Sequence, residues 1–510
     1  MVSRSRYGRP VFAALIILAL AGIYLVAGRG HQSSSGRHAA HQAAATTRVP
    51  VTGAVRVCPA VGSVGPTTSS VAVTAIPASA SAGTAVVTRL TPGGSATAGS
   101  VVATDTRPGV LQISSPGAAA PLSAVEQAGR PGSSPSVITR AARGGIQVAA
   151  SGAMAQGLEV EQTGPGGLVT AECGTPGTNF WFVGPGQATA GTIQLYLANT
   201  GDSAADAQVS VITDVTKGPP LLGNADNGIT VPPHSVVVQS LGQLLQSSKI
   251  VALNVTTSVG QVVAAVREST SASADGNWLP ATEAPARHLV IPGMSNTAGS
   301  RNLYIAVPGT SSAQVKITAV TAKGSYQPTG GTGIDLLGGS AVSIPLPSLG
   351  GVAGAISISA SAPVAATLMA SGGPAATPGA PAVSAGPVLE QGVVADSPTG
   401  SAGKTELVLS APRHAATVRV ATATTTVAAA GQSGRVVQIN AGSSVVVPVA
   451  PPGGKGADVA IVVTPLSGGP IYAGRVITSG GVVRSILAVP SSPTWIPLAG
   501  VTDSLSAILG

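Results

Sequence analysis

The stretch 193-IQLYLAN-199 alternates apolar and polar side chains, and 207-AQVSV-211 continues the same alternation after a short polar connection. A period of two places successive side chains on opposite faces of an extended chain. This is typical of antiparallel strands with one face on a hydrophobic core and one toward solvent. We therefore predict two neighbouring strands here.

The same two-strand pattern occurs twice more, at intervals of about 105 residues. The later copies are 302-NLYIAVP-308 with 313-AQVKI-317 and 405-TELVLSAP-412 with 416-ATVRV-420. A serine precedes a valine-rich strand in each copy, at Ser235, Ser340 and Ser443. We expect these serines to make turn hydrogen bonds, because three copies would hardly each keep an unpaired nucleophile. The pattern indicates an internal repeat.

Each copy ends in two further apolar strands, which we interpret as a closing hairpin. The pairs are 251–255 with 262–266, 355–358 with 364–368, where the turn is expected at Ala362-Pro363, and 459–463 with 471–476. A copy thus supplies about six strands, enough for two antiparallel sheets packed face to face. We predict an all-β fold of tandem Ig-like/β-sandwich modules, joined in a semi-rigid row behind a single N-terminal transmembrane helix.

The composition agrees with many short strands joined by Gly and Pro turns. The predicted organisation is a cytoplasmic stub and transmembrane anchor (1–29), a flexible tether (30–56), a disulfide-closed β domain (57–173), β-sandwich module 1 (174–270), a connector and module 2 (271–371), and a connector, module 3 and C-terminal strand (372–510).

No charged residue lies between Arg9 and Arg29, and the apolar run 11–27 is about long enough as a helix to cross a bilayer. Arg4, Arg6 and Arg9 precede it, which favours a cytoplasmic N-terminus and an extracytoplasmic body. We expect a retained single-pass anchor. The alternative is a cleaved signal peptide, which would make the protein a soluble secreted product.

The excess of basic over acidic residues is concentrated near the N-terminus. Seven of the 26 Lys and Arg residues lie in the first 56 positions, where no Asp or Glu occurs. The rest of the chain carries 19 basic and 18 acidic residues, so we expect no nucleic-acid partner.

Cys58 and Cys173 are the two cysteines of the sequence. In an extracytoplasmic protein an isolated pair is most simply a disulfide. Neither belongs to a CxxC motif or has a histidine close in sequence, so we expect no metal site.

Catalytic patterns are missing from the sequence. There is no Gly-x-Ser-x-Gly elbow, and His234 and His414 lie in expected turns without a recognisable partner. Glu159 and Glu161 share a predicted strand, but a glycosidase would need both to face a cleft. We expect a protein that is not an enzyme and has no cofactor.

Trp181, Trp278 and Trp495 lie at the edges of the predicted modules. Their rings would either pack at junctions between modules or stack on sugar rings. The first interpretation is preferred, and the second makes these residues candidates for binding.

The segments 173-CGTP-176, 179-NFWFVG-184, 195-LYLAN-199, 278-WLP-280 and 289-LVIPG-293, together with the N-terminal anchor, resemble a family of actinobacterial envelope proteins of unknown function. The resemblance implies a membrane-attached extracytoplasmic protein with β domains and assigns no catalytic residue. We expect a structural, scaffolding or binding component of the cell envelope, with an envelope protein or glycan as partner. The alternative is an accessory or glycan-binding subunit in envelope polysaccharide assembly or modification.

Overall fold

The computed structural model describes 47–58, 68–76, 83–90, 97–104, 109–113, 138–140, 145–163, 170–214, 221–222, 228–242, 245, 247–270, 273–371, 379–396, 403–423, 434–449 and 459–498. The apolar run 11–27 and the part of the tether up to residue 46 lie outside these residues. Within the described ranges, no helix is both long and apolar enough to cross a membrane.

The chain divides into two compact units, Met1–Val49 with Pro497–Gly510 and Pro50–Ile496. The described residues of the first unit belong to β1 (Thr47–Pro50) and β36 (Trp495–Leu498), which form a two-stranded sheet. The second unit is built almost wholly of antiparallel strands, so the prediction of an all-β fold is confirmed.

The N-terminal domain, defined here as β2 to β10, contains two sheets. Their orders are β2-β8-β4-β5 and β6-β3-β9-β10, with β7 paired to β3. A 3₁₀ turn, Ala153–Ala155, follows β8. The strands are β2 Gly53–Cys58, β3 Thr68–Ala75, β4 Gly83–Leu90, β5 Thr97–Thr104, β6 Gly109–Ile113, β7 Ile138–Arg140, β8 Gly145–Gly152, β9 Glu159–Thr163 and β10 Thr170–Glu172.

Repeat 1, defined as β11 to β19, also forms two sheets, β11-β17-β13-β14 with β15 paired to β13, and β16-β12-β18-β19. A short helix, α1 (Gln187–Ala190), follows β11. The strands are β11 Asn179–Pro185, β12 Thr192–Asn199, β13 Ala205–Thr213, β14 Leu221–Leu222, β15 Ile229–Val231, β16 Ser235–Ser240, β17 Ile250–Val259, β18 Val263–Thr270 and β19 Ser273–Leu279.

Repeat 2 comprises β20 to β27 and repeat 3 comprises β28 to β35. The strands of repeat 2 are β20 Ala286–Met294, β21 Ser300–Val307, β22 Ala313–Thr321, β23 Gly324–Tyr326, β24 Ile334–Leu336, β25 Ser340–Pro345, β26 Gly354–Ser371 and β27 Ala380–Val383, with a 3₁₀ turn at Pro347–Leu349. Those of repeat 3 are β28 Gly392–Asp396, β29 Gly403–Ala411, β30 Ala416–Ala423, β31 Arg435–Ile439, β32 Ser443–Pro448, β33 Val459–Gly468, β34 Tyr472–Ser479 and β35 Val482–Ala488.

The N-terminal domain and the three repeats share one strand order. The sheet β2-β8-β4-β5 corresponds to β11-β17-β13-β15, to β20-β26-β22-β24 and to β28-β33-β30-β31. The sheet β6-β3-β9-β10 corresponds to β16-β12-β18-β19, to β25-β21-β26-β27 and to β32-β29-β34-β35. The described residues therefore contain four copies of one topology, whereas the sequence pattern indicates three.

The predicted closing hairpins are wrong. β17 and β18 lie in different sheets, as do β33 and β34, and in repeat 2 the two predicted strands are one 18-residue strand, β26. β26 pairs with β22 of one sheet up to Ala360 and with β21 of the other sheet from Ala365. Pro363 falls at this crossing, where its missing N–H removes no hydrogen bond from either of those ladders. Apolar alternation alone does not determine which sheet a strand joins.

Apolar side chains from both sheets meet in one core within each repeat. In repeat 1 this core includes Leu195 and Leu197 of β12, Val209 and Val211 of β13, and Leu253 of β17. All are buried, which accounts for the alternation that predicts these strands. The polar positions between them point away from the core.

The four domains form a closed arrangement, whereas the sequence predicts a semi-rigid row of modules. Buried apolar clusters join the N-terminal domain to repeat 1, repeat 1 to repeat 2, and repeat 2 to repeat 3. A further cluster joins repeat 3 back to the N-terminal domain, with Ile76 packed against Val393, Ala395, Ala460 and Val462. The first and last domains are therefore neighbours.

Candidate functional site

The disulfide between Cys58 and Cys173 is present, as the sequence predicts. Cys58 ends β2 and Cys173 follows β10, and both are buried. Beside the disulfide, the backbone N–H groups of Val57 and Gly174 donate to each other's carbonyl oxygens at 2.8 and 2.9 Å. The start of the connector into repeat 1 is thereby fixed to the N-terminal domain.

Three carboxyl groups share one face of β9 and β10. Glu159 and Glu161 are two positions apart on β9, and Glu172 of β10 pairs in register with Glu161. Residues two apart on a strand, and residues directly opposite across an antiparallel pair, point to the same side of a sheet. Glu159 and Glu161 are both buried.

Arg56 of β2 binds Glu159 through two hydrogen bonds, from Nε to Oε2 at 3.2 Å and from Nη2 to Oε1 at 3.0 Å. The hydroxyl of Ser492, which follows repeat 3, also donates to Glu159 Oε1, at 2.9 Å. Burial opposes the charged guanidinium, but attraction to Glu159, the hydrogen bonds to Glu159 and attraction to Glu172 together outweigh it and raise the pKa of Arg56. Residues 53–56, part of the predicted tether, belong to β2.

Arg475 of β34 donates from Nη1 to Glu161 Oε2 and from Nη2 to Glu161 Oε1, both at 2.6 Å. Its Nη1 also donates to the backbone oxygen of Ala395, and its Nη2 donates to Thr170 Oγ1. The side chain of Arg475 is wholly buried. Glu161 is therefore fully engaged at the interface between repeat 3 and the N-terminal domain.

Glu172 is the third carboxyl beside two guanidinium groups. Burial, reinforced by the Glu159 carboxylate, raises the pKa of Glu172 to about 8 despite its attraction to Arg56. Glu172 is half-buried. At neutral pH this group is a protonated acid, able both to donate and to accept a hydrogen bond.

A cavity of about 410 Å³ opens beside these charges. Its lining includes Arg56, Glu159 and Glu172 of the N-terminal domain and Phe180 and Trp278 of repeat 1. A second cavity of about 470 Å³ shares Glu172, Ala281, Glu283, Pro490 and Ser491 with the first. The connecting segments that follow β19 and β35 line both cavities, and the segment that follows β10 lines the first.

The two tryptophans in repeat 1 lie at junctions. Trp278, with 5% of its surface exposed, packs on Ala171 of the N-terminal domain and makes an edge-to-face contact with Tyr196, with ring centroids 5.0 Å apart. Trp181 is half-buried against the cluster between repeats 1 and 2. Both positions agree with the packing interpretation. The sugar-stacking interpretation remains a prediction.

Trp495 lies on β36, is half-buried and contributes to neither cavity.

No group of three or more His, Cys, Asp or Glu side chains is placed to hold a metal ion within the described residues. His234, which sequence reasoning leaves without a partner, lies 2.9 Å from Asp202 Oδ1 through its Nε2.

The three repeated serines make the same turn bond. Ser235, Ser340 and Ser443 each donate to the carbonyl oxygen three residues earlier, at 2.7, 2.6 and 2.8 Å. The prediction of turn hydrogen bonding is confirmed. These hydroxyls are structural elements of the repeat.

Sequence reasoning missed Arg56, Glu172 and Arg475 as members of one site. Their partners are distant in sequence: Arg56 and Glu159 are 103 positions apart, and Arg475 and Glu161 are 314 positions apart. The sequence signal that could have pointed to these residues is the low charge content. Only 9% of the chain is charged, and charged residues within apolar strands are expected to be paired.

The fold and cavity together define an all-β protein of four like domains around a mixed polar and apolar site. Residues 126–450 match the model of a family described as "Family of unknown function (DUF5719)", and the chain belongs to that family. A comparison with curated proteins finds no match.

Proposed function

We propose that this protein is a membrane-anchored extracytoplasmic scaffold or binding component of an actinobacterial cell envelope. It is built of tandem Ig-like/β-sandwich modules and carries out no catalysis. The observation that carries the proposal is the burial of the Arg475–Glu161 pair between the last and first domains. A pair held this way stabilises one arrangement of the four domains, as a rigid platform requires.

Two further observations support the location. The buried disulfide is a bond that persists in oxidising compartments. The uncharged run 11–27 with preceding arginines supports a single-pass anchor with its N-terminus in the cytoplasm.

Fractionation of cells that express the full chain tests the anchor. The protein should stay in the membrane after an alkaline wash, and added protease should digest it in intact spheroplasts. A variant lacking residues 2–29 should lose membrane association. Recovery of the full chain as a soluble secreted species with a new N-terminus would support the signal-peptide alternative.

Proximity labelling from the intact exterior part in its native envelope tests the scaffold role. We expect envelope proteins or glycan-bearing components to be enriched over a control that carries only residues 1–46. The same labelling pattern in both samples would contradict the proposal.

The second candidate function is a glycan-binding or accessory subunit in envelope polysaccharide assembly or modification. The cavity lined by Phe180, Trp278 and Glu172 favours it, because sugars are bound by aromatic surfaces together with hydrogen-bonding side chains. Loss of binding to isolated envelope polysaccharide in Trp278→Ala or Trp181→Ala would support this function. Unchanged binding in both variants would argue against these tryptophans as binding residues.

A further inference from the structure

We propose that the 410 Å³ cavity between the N-terminal domain and repeat 1 binds one neutral sugar ring, with Glu172 as its central hydrogen-bonding group. This inference rests on the second candidate function and names its site. It assigns to Glu172, Arg56 and Phe180 a binding role that the strand pattern does not reveal, and it places Trp278, already a candidate for binding, in the same site.

The size and lining of the cavity favour a small polar ligand with an apolar face. Its volume lies at the lower end of the range for small-molecule sites, about 300 to 1,000 Å³. Half-buried Phe180 and buried Trp278 supply apolar lining, while Glu172, Arg56 and the exposed Thr175 bring polar groups to the same space. A pyranose ring has C–H faces and peripheral hydroxyl groups that match such walls.

The charges around the cavity favour a neutral ligand at neutral pH. Arg56 is paired with Glu159, and Arg475 with Glu161, so two guanidinium groups balance two carboxylates. Glu172 faces these four groups and is protonated at pH 7 because its pKa is raised to about 8. Glu283 also lines the cavity and accepts from the backbone N–H of Gly386 at 3.0 Å. An anionic ligand would meet the carboxylate of Glu283.

The cavity is pre-formed by covalent and hydrogen-bonded structure. Cys173 and Gly174 line it and are held by the disulfide and by the backbone bonds to Val57. Arg56 is fixed by its two bonds to Glu159. Groups held in place before binding lose little conformational entropy when a ligand arrives.

Ligand-observed NMR and calorimetry on the full chain, in a detergent without a sugar headgroup, test the proposal. The probes are methyl β-D-glucopyranoside, methyl α-D-mannopyranoside and methyl N-acetyl-β-D-glucosaminide. At least one should bind at pH 7. Absence of binding by all three, together with no binding of isolated envelope polysaccharide, would overturn both the cavity site and the glycan-binding function.

Two variants test whether the sugar probe binds in this cavity. Ala265→Phe places a large ring at a half-buried cavity position and should abolish binding. Glu172→Ala removes the central hydrogen-bonding group and should weaken binding about tenfold. Ala421→Phe, at a half-buried strand position outside both cavities, is the matched control and should bind as the wild type does.

These variants separate the site from the function. If a probe binds the wild type and binds Glu172→Ala and Ala265→Phe equally well, the cavity site is wrong while the glycan-binding function stands. Should Ala265→Phe fail to fold, Glu172→Ala decides the question alone. Thermal unfolding of each variant shows whether it is folded.

The pH dependence distinguishes a neutral ligand from a cation. Only the protonated form of Glu172 donates to a sugar oxygen, so the affinity should fall about tenfold between pH 7 and pH 9. Glu172→Gln, which stays neutral, should remove this fall. A cation site would instead bind tetramethylammonium in competition with the sugar probe, and more tightly at pH 9 than at pH 7. That result with the wild type would overturn the proposal.

Discussion

Arg475 and Glu161, 314 residues apart in sequence, form a two-point ion pair whose oxygen and nitrogen atoms lie 2.6 Å apart at both contacts. The exposed fractions of the two side chains are 0% and 5%. Arg475 belongs to the last repeat and Glu161 to the first domain. The pair therefore lies at the interface that closes the arrangement of four domains.

Arg475→Met should lower the free energy of unfolding by about 3 to 5 kcal/mol, because it leaves the buried Glu161 without its charged partner. Chemical denaturation of the full chain measures the change. The exposed pair His234–Asp202 offers a control, since the Asp202 side chain is 99% exposed and Asp202→Asn should not shift the unfolding midpoint. Equal midpoints for Arg475→Met and the wild type would contradict the role of the pair.

The double variant Cys58→Ala/Cys173→Ala should be less stable than the wild type by about 4 to 5 kcal/mol. The bond joins residues 115 apart, and closing so long a loop limits the unfolded chain. Thermal unfolding with and without a reductant provides the measurement. Reductant should lower the wild-type midpoint toward that of the variant and leave the variant unchanged. A variant that is as stable as the oxidised wild type would exclude this contribution.

Glu268→Gln should stabilise the protein increasingly as the pH rises from about 4.5 to about 8. Glu268 is buried, with 6% of its surface exposed, and this burial raises its pKa to about 8. Over this range the unfolded chain loses the proton while the folded chain keeps it, so the wild type loses stability with rising pH. The slope is at most about 1.4 kcal/mol per pH unit.

Denaturation curves of Glu268→Gln and the wild type at several pH values check this sign. The stability difference should be smallest near pH 4.5 and largest above pH 8. A difference that does not change with pH would show that Glu268 titrates normally in the folded protein.

Gly474→Ala should destabilise the contact between repeats 2 and 3 by about 1 to 3 kcal/mol. A Cβ atom at Gly474 would lie 2.6 Å from Gly293 Cα and 2.7 Å from Gly293 N. Gly403→Ala is the control, because the nearest atom to its Cβ is Ile477 Cγ2 at 3.6 Å. Unfolding midpoints of the two variants should therefore differ. Equal midpoints would mean that the contact between β20 and β34 accommodates the added Cβ without measurable cost.

The strands were predictable because their signal is local. Leu195 and Leu197 alternate with polar neighbours on one strand, and Ser235 bonds to a carbonyl three residues away. Such features depend on a few consecutive residues. The disulfide was predictable because the sequence has two cysteines and the protein is expected in an oxidising compartment.

The crossing of β26 and the domain closure were not predictable from these patterns. Whether a strand pairs with its sequence neighbour or joins the opposite sheet depends on the whole core, and the residues around Pro363 suit a turn as well as a crossing. The cavity was missed for a similar reason. Glu172, Phe180 and Trp278 come together only when the N-terminal domain packs on repeat 1.

Closure of the last repeat onto the first domain has a consequence for how this family can vary. In an open array, each repeat contacts only its neighbours, and copies can be gained or lost at an end. Here the loss of repeat 3 would leave Glu161 without Arg475 and expose Ile76, while an added copy would separate the two surfaces. In this chain, closure of the last repeat onto the first domain therefore depends on the number of domains between them.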